Sequence, residues 1–200
     1  MGFLGGLFKR REETREELIK QATDLMVETD AKPDYFFDLF GNEPLAKVQT
    51  VDGALAEWHA QTVSCTHYAL AASLSTADKI SPFIGMYRSA FAKRLKPECR
   101  NIFVQIVPLR EKEYVKAIFE TLKSGDSAQA LGLFGSMARR ITGHHDEELE
   151  KAGLPADFGG PDIIKITAFS YYAMARINAT KESIDRLQVQ LPRLFTGPMS

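Results

Sequence analysis

Cysteine is scarce in this chain. Cys65 and Cys99 are the only two in 200 residues, too few for a disulfide framework, and neither has a CxxC companion for zinc or dithiol redox chemistry. A reducing cytoplasm is the expected home. Charge of one sign is lacking as well: 25 basic and 26 acidic residues give a formal net charge of −1, so no field over the whole molecule gathers nucleic acid. No run approaches the ~20 apolar residues needed to cross a bilayer. A secretory signal is not expected either, because the apolar stretch Met1 to Phe8 precedes the basic Lys9, Arg10 and Arg11 instead of following them. The sequence has no GxSxG, no P-loop, no GxGxxG after a strand and no ExxH pair of the di-iron bundles. No catalytic residue, metal ligand or cofactor is therefore assigned.

What is present is apolar periodicity. With 44% hydrophobic residues, including 13 Phe, the chain has the material for a single core. Leu18, Ile19, Ala22, Leu25 and Met26 fall on one helical face before Pro33. Tyr35 to Phe40 predicts two turns of helix between Pro33 at N1 and Gly41 at C′. Asp52 reads as the N-cap of a central helix striped by Leu55, Trp58, Thr62, Cys65, Ala69 and Ala72. Ser81-Pro82 predicts the next start, with Pro97 as its end, and Pro108 and Gly125 bracket a helix carrying Val115, Ile118, Phe119 and Leu122. Asp126 and Gly143 bound a helix with Leu131, Phe134, Ala138 and Ile141 facing inward. Residues 143–160 read as a long surface connection with one short helical turn. A final helix, expected to be the longest, runs from Ile166 through Phe169, Ala173, Ile177, Thr180, Ile184 and Leu187 to Leu191.

The rival to an all-helical chain is Ile102 to Val107, a β-branched run that also fits a buried strand. One strand makes no sheet, and no strong partner is visible. The expectation is an all-α, single-domain bundle of about six to eight helices with a long C-terminal helix. It divides into an apolar and basic arm over 1–11, a helical domain over 12–192 and a loose tail over 193–200.

Four groups of residues are candidates for function. Phe3, Leu4, Leu7 and Phe8 beside Lys9, Arg10 and Arg11 suit membrane or partner contact, since apolar burial and attraction to anionic lipid would act together. Trp58, His59, Cys65 and His67 on one helix could line a ligand pocket, although His59 and His67 lack the i, i+4 spacing of a metal pair. Cys99, in the first turn after Pro97 and beside Lys96 and Arg100, has the setting of a lowered thiol pKa and is the candidate reactive thiol. Arg88, Lys93, Arg94, Lys96 and Arg100 concentrate positive charge for anion contact. The cluster His144 to Glu148 reads as a solvated acidic loop. The reading these support is a non-enzymatic protein-interaction or regulatory domain, pairing with a protein partner or a second copy and peripheral to a membrane through its arm. A helical enzyme or small-ligand binder with a pocket at Trp58 is the alternative. Nucleic-acid binding through the basic patch is a second.

Overall fold

The computed structural model describes residues 14–41, 45–46, 49–74, 76–151, 153 and 160–190. Among them are eight helices and no strand: α1 (Arg15–Asp30), α2 (Asp34–Phe40), α3 (Val51–Ser73), α4 (Ala77–Arg94), α5 (Pro97–Ser124), α6 (Ser127–Thr142), α7 (Asp146–Lys151) and α8 (Ile163–Gln190). The arm over 1–11 and the tail over 193–200 lie outside the described residues.

Helix α3 is the axis of the bundle. From Gly53 to Leu70 every residue except Leu55 and His67 is buried, which is the pattern of a helix covered on all sides. Its small residues make this packing workable: Ala54, Ala56, Ala60, Ser64 and Ala69 let α4, α5, α6 and α8 approach. Buried hydroxyls are satisfied within the helix, Thr62 donating to the Trp58 carbonyl at 3.0 Å and Ser64 to that of Ala60 at 2.9 Å.

Two apolar clusters flank this axis. One joins α1, α4 and the first half of α5 through Ile19, Val27, Phe83, Phe91 and Phe103. The other joins α2, α6, α8 and the second half of α5 around Trp58, with Phe36, Phe40, Phe134, Phe169 and Ile177. Around the Trp58 indole, Tyr172 stacks at 4.5 Å between ring centroids, and Phe36 and Phe40 stand edge-on at 6.1 Å.

Helix boundaries follow local chemistry, and several differ from expectation. Helix α1 opens on a capping box, Thr14 and Glu17 each bonding the other's backbone N–H. Its stripe shifts, however: Val27 is buried and Leu25 is 69% exposed. The α3 N-cap is Thr50, not Asp52, because the Thr50 hydroxyl accepts from Gly53 N at 3.0 Å and Asp52 falls in the first turn. Helix α4 starts at Ala77, ahead of Ser81-Pro82, and Pro82 lies inside it.

Pro108 likewise does not begin a helix but sits within α5. Its missing N–H orphans the Val104 carbonyl on a face where both residues are exposed, so water can take the place of the lost bond. Ile102 to Val107 is helical. Cys99, Phe103, Val107, Glu111, Tyr114, Ile118 and Thr121 are its buried residues, stepping by three or four, while Val104 and Phe119 face out. Among the described residues α8 and α5 are equally long, with 28 residues each.

Gly125 and Gly143 close α5 and α6 with φ of 68° and 76°. At Gly143 glycine is required twice over, by the left-handed backbone and because an added Cβ would stand 2.6 Å from the Gln49 Cβ. Gln49 reaches past it to the Ile141 carbonyl, which ties the segment before α3 to the end of α6.

Candidate functional site

The outer surface of α6 and α8 carries an apolar groove. Two overlapping recesses, about 520 and 530 Å³, run along the seam between these helices. The first is lined by Ala130, Leu131, Phe134, Thr167, Tyr171 and Met174 among others. The second shares Ala128 and Leu131 and continues past Gly132, Gly135, Ile163 and Ile166 to Arg139, His145 and Asp146.

The groove arises from side-chain size. Ala128, Gly132, Gly135 and Ser136 of α6 along it are small, and Gly135 meets Ile166 of α8 at 3.4 Å from where its Cβ would be, which sets the helix spacing. Gly132 has nothing within 4 Å of that position. A glycine inside a helix costs up to ~1 kcal/mol relative to alanine. Here the open space is what it leaves. Along the rim, Ile163 and Tyr171 are exposed by 60% and 75%, and Ile164, next in sequence to Ile163, is exposed by 73%. A clustered set of exposed large apolar groups marks a contact surface.

The polar end of the groove is tightly wired. His145 Nε2 lies 3.1 Å from Ser136 Oγ and 3.3 Å from an Arg140 terminal nitrogen. A Ser–His contact is the start of a nucleophile–base pair. The guanidinium, however, has only hydrogens to give, so the Nε2 lone pair is already engaged and is not reserved for the serine proton. Arg140 is itself buried, donating to Tyr114 Oη at 3.0 Å and to Glu113 at 3.1 Å. Arg139 caps the helix by donating to the His144 carbonyl at 2.9 Å. The expected solvated cluster at 144–148 is thus partly internal, with His144 buried against Thr142. No group of three or more metal-ligating side chains occurs among the described residues.

The other predicted residues disperse. Trp58 and Cys65 enter the aromatic cluster, His59 packs edge-on against Phe91 at 5.1 Å in the opposite cluster, and His67 Nδ1 pairs with Glu111 at 2.8 Å. They do not converge on one cavity. Burial pushes the Cys65 thiol up to about 12 and pulls His59 down to about 4. Cys99 does occupy the first turn of α5 but points into the core. Burial, then the nearby Asp52 charge, pushes its thiol up to about 11, the reverse of the activated thiolate expected from its position.

The basic group is brought together only in part. Arg88, Lys93 and Arg100 border one recess between α4 and α5, whereas Arg94 turns away to Asp24 at 3.4 Å. That split leaves no continuous stripe of cations to track a phosphate backbone.

Three buried ionic groups were invisible to spacing arguments. Glu57 takes a bidentate pair from Arg110, one bond being 2.8 Å. Asp30 is held by Arg176 and by the Tyr87 hydroxyl, with Thr66 donating to that hydroxyl at 3.4 Å. Glu111 is shared by His67 and Arg88. Each joins helices far apart in sequence. Burial lowers Arg176 to about 10, leaving it charged at neutral pH opposite Asp30.

Comparison with protein-family models, with curated proteins and with solved structures found no match for this chain.

Proposed function

We propose that this chain is a non-enzymatic helical interaction module that pairs with a second copy of itself through the α6–α8 face. The observation that carries the reading is that this one face holds both a recess and a ridge. The recess is floored by Ala128, Gly132 and Gly135, and the ridge is formed by Ile163, Ile164 and Tyr171. A two-fold axis brings the ridge of each copy into the recess of the other, as a self-complementary interface requires. The groove spans residues 128–139 of α6, close to three helical turns, enough to seat a helix side-on. Regulation by assembly fits a chain with no catalytic constellation among its described residues. The cytoplasm is the proposed location, on the strength of two free cysteines, both buried. No described helix is long and apolar enough to cross a membrane.

Sedimentation velocity tests the reading. The native chain is expected to form a concentration-dependent dimer. Gly132→Trp, which fills open space, and Tyr171→Glu, at an exposed site, should both be monomeric with unchanged helical circular dichroism. A native chain that stays monomeric at the highest soluble concentration overturns the proposal. So does pairing that survives both substitutions. Deleting residues 1–8 should leave pairing unchanged. Stronger pairing after deletion would make the arm, with Phe3, Leu4, Leu7 and Phe8, the groove's occupant and would also overturn it.

A further inference from the structure

A second recess, built by different helices, has another chemistry. Between α4 and α5 a cavity of about 360 Å³ has Phe103, Val104 and Val107 as its apolar lining and Arg88, Lys93 and Arg100 as its cationic residues. The three cations are not equivalent. Arg88 Nε lies 2.7 Å from Glu111 Oε2, so its charge is balanced from below. Arg100 instead donates to two neutral carbonyls, those of Leu95 at 2.8 Å and Lys93 at 3.2 Å, and so closes the end of α4 while keeping its charge. Lys93 is exposed and has no acidic partner among the described residues. Two positive charges are therefore uncompensated beside a greasy floor.

Helix geometry explains the juxtaposition. On α5, Arg100, Phe103, Val104 and Val107 step by three and four, which lines them along one face. On α4, Ser89 stands three residues before Ala92 and four before Lys93, and Arg88 stands four before Ala92.

We propose that this recess binds a single-chain amphiphilic anion, a carboxylate or phosphate monoester with a hydrocarbon tail. The tail would lie along exposed Val104, over the buried Phe103 and Val107, and the anionic head would meet Lys93 and Arg100. The volume is at the lower end of small-molecule pockets, which favours one chain over the two of a bilayer lipid. Charge argues against filling by the chain's own ends, since Lys9, Arg10 and Arg11 of the arm and Arg193 of the tail would be repelled. The site is independent of the α6–α8 face.

Isothermal titration calorimetry on the full chain tests it, with dodecanoate and dodecyl phosphate below their micellar concentrations. Inorganic phosphate and dodecanol are the controls. At least one of the two amphiphiles should bind, and whichever binds tighter identifies the head group; both controls should bind at least about tenfold more weakly, the worth of a charged hydrogen bond or of the buried tail. Lys93→Glu and Val104→Trp, both at exposed positions, should each weaken the binding about tenfold or more, while Gly132→Trp leaves it unchanged. The proposal is overturned if neither amphiphile binds. It is equally overturned if inorganic phosphate or dodecanol matches them, or if Lys93→Glu has no effect. Saturation by an acidic amphipathic peptide with no response to either amphiphile would replace it with a protein partner.

Discussion

The two halves of the interior share α3 but are stabilised by different physics. On the α1 and α4 side, ionisable groups stand inside the core: Asp30 meets Tyr87 and Arg176, and His59 lies against Phe91 with its Nδ1 buried and without a hydrogen-bond partner among the described residues. On the α2, α6 and α8 side the centre is a nest of rings around Trp58. Its charged groups form a chain along the border with α5, where buried Arg140 reaches the exposed acids Glu113 and Glu147. The first half therefore depends on charge balance and the second on shape. A charge that can rotate toward water is cheap to unpair, and one enclosed by Asp30's neighbours is not.

The sharpest way to break this contrast is to unpair the enclosed group. Arg176→Met should cost about 3–5 kcal/mol in urea unfolding, because Asp30 is left buried without its counter-charge. Adding Asp30→Asn should recover most of the loss, a coupling that a packing defect would not show. Arg140→Met, whose acids can turn to solvent, should cost less, about 1–3 kcal/mol. Equal costs at the two arginines would erase the distinction.

In the other half, Trp58→Ala should cost about 3–5 kcal/mol through the cavity left among Phe36, Phe40, Phe169 and Tyr172, by the same amount at pH 5 and pH 8.

Acid sensitivity should sit in the first half. His59 has a pKa of about 4 folded and 6.5 unfolded, so the unfolded chain binds the extra proton between these values. The stability His59 allows is complete above pH 6.5 and falls as the pH drops toward 4, by about 3 kcal/mol in all. His59→Phe should flatten that slope in a series of melting curves, and an unchanged slope would place the sensitivity elsewhere. The smallest effect is a gain: Gly132→Ala should stabilise by about 0.5–1 kcal/mol, since the methyl enters open space and only the helix-interior glycine penalty is removed.

How much of this was readable in advance divides along the same line. Periodicity located the stripes of α3, α6 and α8 and the caps at Asp126 and Gly143, because three-and-four spacing and cap chemistry are local, but in α5 it turned Phe119 inward where Tyr114, Ile118 and Thr121 are the buried residues. Prolines misled it. Pro82 and Pro108 are tolerated inside helices, the latter on an exposed face, a circumstance no single window of sequence displays. Ion pairs such as Asp30 with Arg176 were unreadable because nothing in spacing couples α1 to α8. The α6–α8 face left a weak trace. Ile166, Phe169 and Ala173 already supply the inward stripe of α8, so Ile163, Ile164 and Tyr171 were surplus apolar residues. Two glycines inside α6, with no turn to explain them, pointed the same way. At Cys99 the helix position was right and the inference wrong, since the thiol faces the core and desolvation outweighs the helix end.

Pairing through the α6–α8 face can be measured most directly as a distance. A nitroxide attached at Asn178→Cys, an exposed position two turns beyond Tyr171 on α8, leaves the two buried native cysteines unlabelled. Pulsed dipolar spectroscopy should then give one narrow intermolecular distance that disappears when Gly132→Trp is added. A distance unaffected by Gly132→Trp, or no intermolecular coupling at all, would contradict the account.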